Sequence, residues 1–175
     1  MRKALILIQA RMNSTRLPKK VMLSVCGKPL LYRMYERVLR SQYADNIVII
    51  TSTRKEDDLI EHFCLSEGIL YYRGHPTDLL DRHYKAAKKF RAKTVAKIPS
   101  DCPLIDPRII DKVLGFYLDN SSNFDFVSNL HPATYPDGND VEVMSFDTLE
   151  RAWICSNKNY EREHTTPFIW ENPRA

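Results

Sequence analysis

Glycine is scarce in this chain of 175 residues, and its five glycines follow none of the spacings of a phosphate-binding glycine-rich loop. There is no G-x-x-x-x-G-K-[ST] and no G-x-G-x-x-G, which argues against a P-loop kinase and a dinucleotide-dependent dehydrogenase. The sequence also lacks G-x-S-x-G and H-E-x-x-H, so it offers neither the serine turn of a hydrolase nor a zinc-peptidase helix. The chemistry of this protein must therefore depend on other residue types.

Cysteine is also sparse, since the four cysteines lie far apart and form no C-x-x-C pair. This spacing argues against a disulfide scaffold and a zinc knuckle, and we expect reduced thiols in a cytosolic protein. No stretch approaches the ~20 apolar residues of a membrane-spanning helix. The apolar run at residues 4–8 is too short for a secretory signal. The sequence thus predicts a cytoplasmic protein without a membrane partner.

Short apolar runs alternate with amphipathic segments along nearly the whole chain. The runs have the continuous pattern of strands buried on both faces, and the segments between them repeat apolar residues at helical spacing. This alternation predicts an α/β fold with a mostly parallel sheet and helices on both faces. The length fits a single domain spanning 1–175. Thr53 and Glu56 are expected to form a capping box at the start of one helix. The clearest runs are 4–8, 47–50, 69–72 and 94–98.

Positive charge is concentrated near the amino end. Residues 1–40 carry ten Lys or Arg and one acid, whereas residues 41–175 carry sixteen Lys or Arg and twenty-one acids. The net charge of +4 is too small to indicate a nucleic-acid partner. The asymmetry instead predicts a local anionic ligand. Four of the cations fall within ten positions directly after the first strand: Arg11, Arg16, Lys19 and Lys20.

Parallel sheets bind their ligands beyond the carboxyl ends of the strands. This rule puts the basic loop on the same rim as Asp101, which follows the run at 94–98. Arg and Lys bind phosphate oxygens, and the hydroxyls of Ser14 and Thr15 add donors. A carboxylate such as Asp101 can hold Mg²⁺ against phosphate oxygens. These residue types together predict a polyphosphate site.

Each of these residues also has a purely structural interpretation. Loop cations are most often only solvated, and Asp101 fits a turn before Cys-Pro. Asp140 and Glu142 share one face of a predicted strand, either as metal ligands or, more often for such residues, as an exposed charged edge. For His164 a capping or packing role outweighs catalysis.

Seven segments together resemble one known family. They cover nearly the whole chain and are similar to the SpsF family of cytidylyltransferase-like proteins of spore coat polysaccharide biosynthesis. More distantly, they are similar to CMP-sugar synthetases acting on 3-deoxy-manno-octulosonate and N-acylneuraminate. The resemblance implies a nucleotide-diphospho-sugar transferase fold, a Rossmann-like three-layer α/β/α sandwich. It also implies Mg²⁺-assisted transfer of CMP from CTP to a sugar acid with release of pyrophosphate. The segments are QARMNSTRLPKKVM, GKPLLYRMYERV, VIITSTRKEDD, RGHPTDLLDRHYKAA, SDCPLIDP, YPDGNDVEVMSFDTLERAW and EREHTTPFI.

The same resemblance assigns three kinds of role. Charge on the transferring and leaving phosphates would be offset by two catalytic residues, Arg11 and Lys20. Two carboxylates would hold the metal, Asp101 as a clear match and Asp140 as a weaker one. The nucleotide would be bound by a further set of residues, namely Ala10, Ser14, Arg16, Arg73, Asp81 and Arg82.

Two departures from the family pattern affect these expectations. Asn13 and Lys19 stand where the family loop usually carries glycine, and Lys19 is strained if that position needs a positive φ. The chain stops at Ala175, where family members usually continue, so a missing C-terminal portion with acceptor-sugar or homodimer contacts is one interpretation. Two other functions stay open, a nucleotide-sugar-dependent glycosyltransferase and a nucleotide- or sugar-binding module without turnover.

Overall fold

A computed structural model describes residues 3–14, 17–133 and 135–172 of the chain. It confirms the predicted alternation of strands and helices. Within these ranges the strands are β1 (Ala4–Gln9), β2 (Ser24–Val25), β3 (Lys28–Pro29), β4 (Ala44–Ser52), β5 (Leu70–Gly74), β6 (Thr94–Pro99), β7 (Phe126–Ser128) and β8 (Glu142–Ser145). The helices are α1 (Leu30–Val38), α2 (Asp58–Ser66), α3 (Leu79–Lys89), α4 (Pro107–Asp119), α5 (Phe146–Cys155), α6 (Asn159–His164) and α7 (Pro167–Glu171).

Six of the strands form one sheet in the order β5-β4-β1-β6-β8-β7, while β2 and β3 form a separate antiparallel pair. The strands from β5 to β6 are parallel neighbours. β8 runs antiparallel to both β6 and β7. Because β8 is reversed, its first residues lie beside the carboxyl end of β6, where Glu142 pairs with Lys97. The reversed strand thus brings an acidic segment to the ligand-binding rim.

Apolar side chains of the central strands alternate between two cores, one on each face of the sheet. Ile6 and Ile8 of β1 belong to the core that α1, α2 and α4 cover. Leu5 and Leu7 belong to the core that α3, α5 and α7 cover. Each such buried side chain contributes about 1.5–3 kcal/mol, and burial on both faces explains the continuous apolar runs. The three-layer α/β/α sandwich is therefore confirmed.

Helix starts follow the sequence rules in one case and depart from them in another. Asp106 caps α4 by accepting from the N–H of Arg108, with Pro107 at the first helical position. The expected capping box of Thr53 and Glu56 is wrong, because neither α2 nor the short 3-10 turn before it has a side-chain cap. The acid that accepts hydrogen bonds at the end of β4 is Asp57, the residue after Glu56.

The described helices pack on the two faces of one sheet. The prediction of a single domain spanning 1–175 stays a prediction. Of the segments that the structure describes, no helix combines the length and the apolar character needed to cross a membrane.

Gly74 ends β5 directly against the buried side chain of Arg82. A Cβ at this position would lie 2.9 Å from Cγ of Arg82 and 2.9 Å from Cε1 of Tyr72. Contacts this short are not tolerated, so a side chain or the strand itself would have to move. Glycine at position 74 therefore allows the strand end to approach α3 closely.

We expect Gly74→Ala to lower the free energy of unfolding by about 1–3 kcal/mol, the usual cost of overpacking a filled core. Gly115→Ala in α4 is the matched control. Its new Cβ would lie 3.3 Å from the Tyr43 hydroxyl, a longer contact than those at Gly74. Alanine also favours a helix by about 1 kcal/mol over glycine, so this variant should be destabilised less than Gly74→Ala. Urea unfolding followed by circular dichroism measures both variants. A Gly74→Ala protein as stable as the wild type would show that the contact relaxes without cost.

Candidate functional site

The basic loop, residues 10–20, leaves β1 along a path fixed by its backbone. Ala10 is buried, and its N–H donates to the carbonyl of Ile50 at 2.9 Å. Met12 is buried as well, whereas Arg11 between them is exposed. The two buried residues anchor the start of the loop, and the Arg11 guanidinium stays accessible to a ligand.

The second half of the loop turns back towards its start. The N–H groups of Ser14 and Lys19 both donate to the carbonyl of Met12, at 3.1 and 2.8 Å. Lys19 has a φ of 61°, a left-handed conformation that costs a residue with a side chain about 1 kcal/mol or more. Asn13 is not among the described residues with positive φ. Of the two positions that replace glycine, only Lys19 thus bears the strain. Thr15 and the expected phosphate ligand Arg16 lie outside the described residues.

Asp57 secures this loop from the neighbouring strand, a role that sequence reasoning missed. Its carboxylate accepts from the N–H of Met12 at 2.8 Å, from the N–H of Ser52 at 3.2 Å and from the Ser52 hydroxyl. Asp57 is only 2% exposed. The sequence does place Asp57 just after the carboxyl end of β4. Glu56 and Asp58 are its neighbours there, and nothing in the sequence shows which of the three acids holds the loop.

Lys20 and Asp101 form an ion pair at the centre of the rim, with Nζ of Lys20 2.6 Å from Oδ2 of Asp101. The two residues come from loops that follow adjacent parallel strands, β1 and β6. Their side chains are partly accessible, at 21% and 38% exposure. The predicted meeting of the basic loop with Asp101 on one rim is therefore confirmed, and either partner remains within reach of a ligand.

Two clefts share this ion pair, and a third adjoins one of them at Arg11. The smallest, the central notch, has a volume of about 160 Å³. The acidic cleft, of about 710 Å³, shares Lys20 and Asp101 with the notch. The α6 cleft, of about 490 Å³, shares Arg11 with the notch. The notch is lined by Gln9, Arg11, Ser14, Lys20, Ser100 and Asp101 among others; the acidic cleft by Leu17, Leu30, Leu104, Asp137, Asn139 and Asp140 among others; and the α6 cleft by His75, Thr77, Asp78, Asn159, Arg162 and Glu163 besides Arg11.

Asp140 is half-buried in the acidic cleft beside Asp101. Burial raises the pKa of Asp140, and the neighbouring carboxylates of Asp137 and Glu142 raise it further. The interpretation of Glu142 as part of an exposed charged edge is wrong, because β8 lies between β6 and β7 and Glu142 is 2% exposed. Asp140 precedes β8, so it is not part of a strand edge.

The carboxylates of the rim fit a metal ion that is shared with a ligand. Among the described residues, no three His, Cys, Asp or Glu side chains gather to hold a metal. Asp101 and Asp140 both line the acidic cleft, and Asp101 already binds a cation there, the Lys20 ammonium. Mg²⁺ commonly takes one or two carboxylates and completes its shell with phosphate oxygens and water. The pair therefore suits Mg²⁺ that arrives with a polyphosphate.

Two residues expected in the nucleotide pocket are engaged elsewhere. Arg73 donates from Nε to the Ser52 carbonyl at 3.0 Å and forms ion pairs with Asp58 and Glu61 of α2. Asp81 accepts from the indole N–H of Trp153 at 2.9 Å and pairs with Lys85 at 3.0 Å. Neither of them lines the three clefts. Their assignment to nucleotide binding stays a prediction, and the contacts described here are structural.

Arg82 is fully buried behind the α6 cleft. It donates from Nε and Nη2 to the His75 carbonyl, at 3.1 and 2.6 Å, and from Nη2 to the Pro76 carbonyl at 3.1 Å. Burial lowers the pKa of Arg82 to about 10, which still leaves the guanidinium charged at neutral pH. Arg82 thus shapes the loop between β5 and α3, which forms one wall of the α6 cleft.

With this geometry in view, the sequence profile of the cytidylyltransferase family matches residues 5–175. The chain belongs to the cytidylyltransferase family. It is 31% identical to the spore coat polysaccharide biosynthesis protein SpsF of Bacillus subtilis, over 97% of this chain and 70% of that protein. It is 33% identical to a 3-deoxy-manno-octulosonate cytidylyltransferase of Chloroherpeton thalassium, over 69% of this chain and 48% of that protein. A cytidylyltransferase structure from Leptospira borgpetersenii superposes with a TM-score of 0.93 at 35% identity, over 99% of this chain and 73% of that chain.

The resemblance seen in the seven sequence segments is thereby confirmed, and the protein is a nucleotidyltransferase. The central notch adjoins a larger cleft on each side. The conformation of the basic loop therefore bears on the candidate site as well as on the stability of the fold.

We expect Asp57→Asn to lower the free energy of unfolding by about 1–3 kcal/mol, because the amide cannot accept the same three hydrogen bonds and leaves buried donors unpaired. The loosened basic loop should also be cut faster by trypsin at its lysines and arginines. Glu56→Gln is the matched control, since the Glu56 side chain is 48% exposed. Urea unfolding and timed proteolysis measure both effects. Indistinguishable proteolysis of the two variants would contradict the anchoring role of Asp57.

Proposed function

We propose that this cytidylyltransferase transfers CMP from CTP to a hydroxyl group of a sugar acid, with Mg²⁺ as cofactor and pyrophosphate as the second product. The observation that carries the proposal is the Lys20–Asp101 pair, a cation suited to phosphate beside an acid suited to a metal, on the border of two clefts. The names of two relatives, a spore coat polysaccharide biosynthesis protein and a 3-deoxy-manno-octulosonate cytidylyltransferase, support a role in polysaccharide biosynthesis. Surface polysaccharide as the product and the cytoplasm as the location are parts of the proposal.

The triphosphate would lie in the central notch. Arg11 is exposed there, and Lys20 and the buried Ser14 line the same notch. A guanidinium binds phosphate oxygens through a planar fork, while an ammonium adds a mobile point charge. Preorganised cations of this kind stabilise the negative charge that develops on phosphate oxygens during transfer. Arg11 and Lys20 are therefore the proposed catalytic residues, with Ala10 and Ser14 forming the backbone around the phosphates.

The nucleoside would occupy the α6 cleft, which adjoins the notch at Arg11. The polar lining of this cleft includes the side chains of Thr77, Asp78 and Asn159. Hydroxyl, carboxylate and amide groups can pair with the edge of a cytosine and with ribose hydroxyls. The triphosphate would then lie in the notch between the two clefts, within reach of both Arg11 and Lys20.

The acceptor sugar would enter the acidic cleft on the other side of Lys20. The accessible hydroxyl of the sugar forms a bond to the α-phosphorus of CTP, and the bond from this phosphorus to the bridging oxygen breaks. Pyrophosphate leaves with the electron pair, and the hydroxyl proton is lost to water in the open cleft. Asp101 and Asp140 would hold Mg²⁺, which neutralises charge on the reacting phosphates. That the acceptor is a sugar acid and that the protein forms a homodimer both remain predictions.

The ion pair must exchange partners before this chemistry can occur. Lys20 is needed on the phosphates and Asp101 on the metal, yet in this structure they bind each other at 2.6 Å. Both side chains are accessible, so an arriving Mg²⁺–CTP complex can supply each with a new partner of opposite charge. Free Mg²⁺ can satisfy only Asp101 and would leave the ammonium of Lys20 beside a second cation. The pair therefore favours the metal–nucleotide complex over the metal alone.

The direct test measures pyrophosphate release from CTP, UTP and ATP with a panel of sugar acids, with and without Mg²⁺. We expect Mg²⁺-dependent release with CTP and one or more sugar acids, and Arg11→Ala should lower kcat/KM by about 10²-fold because a preorganised charge contact is lost. Arg40→Ala is the matched control, since Arg40 is exposed and lies outside the three clefts. Full activity of Arg11→Ala would remove Arg11 from the catalytic residues.

The same assay separates the two other functions. Consumption of a UDP-sugar without pyrophosphate release would indicate a glycosyltransferase. Tight CTP binding in calorimetry without turnover on any acceptor would indicate a binding module.

The partner exchange predicts that Lys20→Gln changes the Mn²⁺ affinity in opposite directions without and with nucleotide. Without nucleotide, this variant should bind Mn²⁺ about tenfold more tightly than the wild type, because one opposing charge adjacent to Asp101 is worth roughly 1–2 kcal/mol at a partly exposed site. With CTP present, the variant should bind Mn²⁺ less tightly, since Lys20 no longer helps to hold the phosphates. Electron paramagnetic resonance of Mn²⁺ measures both affinities.

Lys19→Gln is the control for this experiment, because it removes the same charge from the neighbouring position of the same loop. Equal effects of the Lys19 and Lys20 variants would show that only general electrostatics is at work and that no partner exchange takes place.

A further inference from the structure

The turn at Thr165 and Thr166, within the C-terminal segment EREHTTPFI, has no part in the proposed chemistry, yet the structure ties it to the rim of the sheet. Thr165 and Thr166 join α6 to α7 and are buried, with exposures of 0% and 3%. Thr165 has a φ of 74°. A β-branched residue in this region is strained, and such strain persists only where surrounding contacts hold it. The turn is therefore kept for the contacts that it makes.

The contact that matters runs from Thr166 into the sheet. The hydroxyl of Thr166 donates to Oε1 of Glu142 at 2.7 Å. The other carboxylate oxygen of Glu142 forms an ion pair with Nζ of Lys97. Glu142 and Lys97 face each other in the antiparallel pairing of β8 with β6, and their side chains are only 3% and 17% exposed. Thr166, Glu142 and Lys97 thus form a buried relay, named here the Thr166 relay.

The Thr166 relay is adjacent in the sequence to the proposed metal acid Asp140. Asp140 precedes Glu142 by two residues, and Val141 between them belongs to the core on the other face of the sheet, the one that α1, α2 and α4 cover. Lys97 lies opposite Glu142, and Pro99, two residues after Lys97 in β6, lines the acidic cleft together with Asp140. Lys97 therefore has two carboxylates in its neighbourhood and is bound to only one of them, Glu142.

We propose that Thr166 and Glu142 are positioning residues that hold the ammonium of Lys97 away from Asp140 and so keep the Asp140 carboxylate available to a divalent cation. This inference rests on the proposed function, in which Asp140 shares Mg²⁺ with Asp101. If Glu142 lost its charge, Lys97, whose side chain is only 17% exposed, would lack its counter-ion, and Asp140 is a further carboxylate at this end of β6. Buried charges are costly when unpaired, so the ammonium would turn to Asp140 and compete with the metal there.

The test measures Mn²⁺ affinity by electron paramagnetic resonance on the full chain, with CTP saturating and no acceptor sugar present. Glu142→Gln keeps the size of the side chain and one acceptor oxygen but loses the charge and the second acceptor. We expect it to bind Mn²⁺ at least tenfold more weakly than the wild type. The double variant Lys97→Met with Glu142→Gln removes the competing cation as well. It should bind Mn²⁺ within about threefold of the wild type.

Thr166 provides an independent arm that leaves the ion pair in place. Thr166→Val removes the hydroxyl at nearly constant volume and should weaken Mn²⁺ binding by several-fold, whereas Thr166→Ser keeps the hydroxyl and should restore it. Thermal unfolding of each variant verifies that the fold is retained. If Glu142→Gln does not fold, the comparison of valine with serine at position 166 still decides the question.

Each result bears on the inference. A double variant as weak as Glu142→Gln would mean that the ion pair is merely structural and would overturn the proposal, as would unchanged affinity in Glu142→Gln or equal affinities of the two Thr166 variants. A wild-type protein that binds CTP and Mn²⁺ while the variants behave alike refutes the inference alone. A wild-type protein that binds neither refutes the proposed function, and the inference with it.

Discussion

The contact between Lys20 and Asp101 depends on the parallel pairing of β1 with β6, and most of the site depends on that contact. Parallel neighbours end on the same rim, so loops that are 81 positions apart in the sequence meet there. The buried faces of both strands fix the register, because a slip by one residue would turn the apolar side chains of each core towards the other. The distance of 2.6 Å between ammonium and carboxylate is thus set by the packing of the sheet as much as by the pair itself.

In the proposed function, the three clefts would separate the parts of a transfer reaction. The notch of about 160 Å³ would hold the phosphates, and the clefts of about 490 and 710 Å³ open on either side of it. Arg11 borders one of these clefts and Lys20 the other. Two substrates can therefore approach one phosphorus from different sides without sharing a pocket, which is the geometry that group transfer needs.

Sequence reasoning reached the fold and the centre of the site for physical reasons. Strands covered on both faces must be continuously apolar, so the central sheet was visible in the runs, and the crevice rule then joined the basic loop to Asp101. It failed where a role depends on pairing between distant segments. Nothing in the local pattern shows that β8 is reversed and internal, so Glu142 was interpreted as an exposed edge residue. Asp57 was missed for a related reason, because its partner, the N–H of Met12, lies 45 residues earlier in the chain.

Two strained residues show how the functional contacts are held. Lys19 and Thr165 both have positive φ, at 61° and 74°, and each directly precedes a residue whose side chain reaches a carboxylate of the rim. Lys20 binds Asp101, and Thr166 binds Glu142. A left-handed residue reverses the chain within a single position, which lets the next side chain point inward from a loop that otherwise passes over the surface. Glycine would adopt this conformation more easily, but it would also widen the range of conformations open to the turn. At Lys19, the hydrogen bond from its N–H to the Met12 carbonyl at 2.8 Å helps to offset the strain of the side chain.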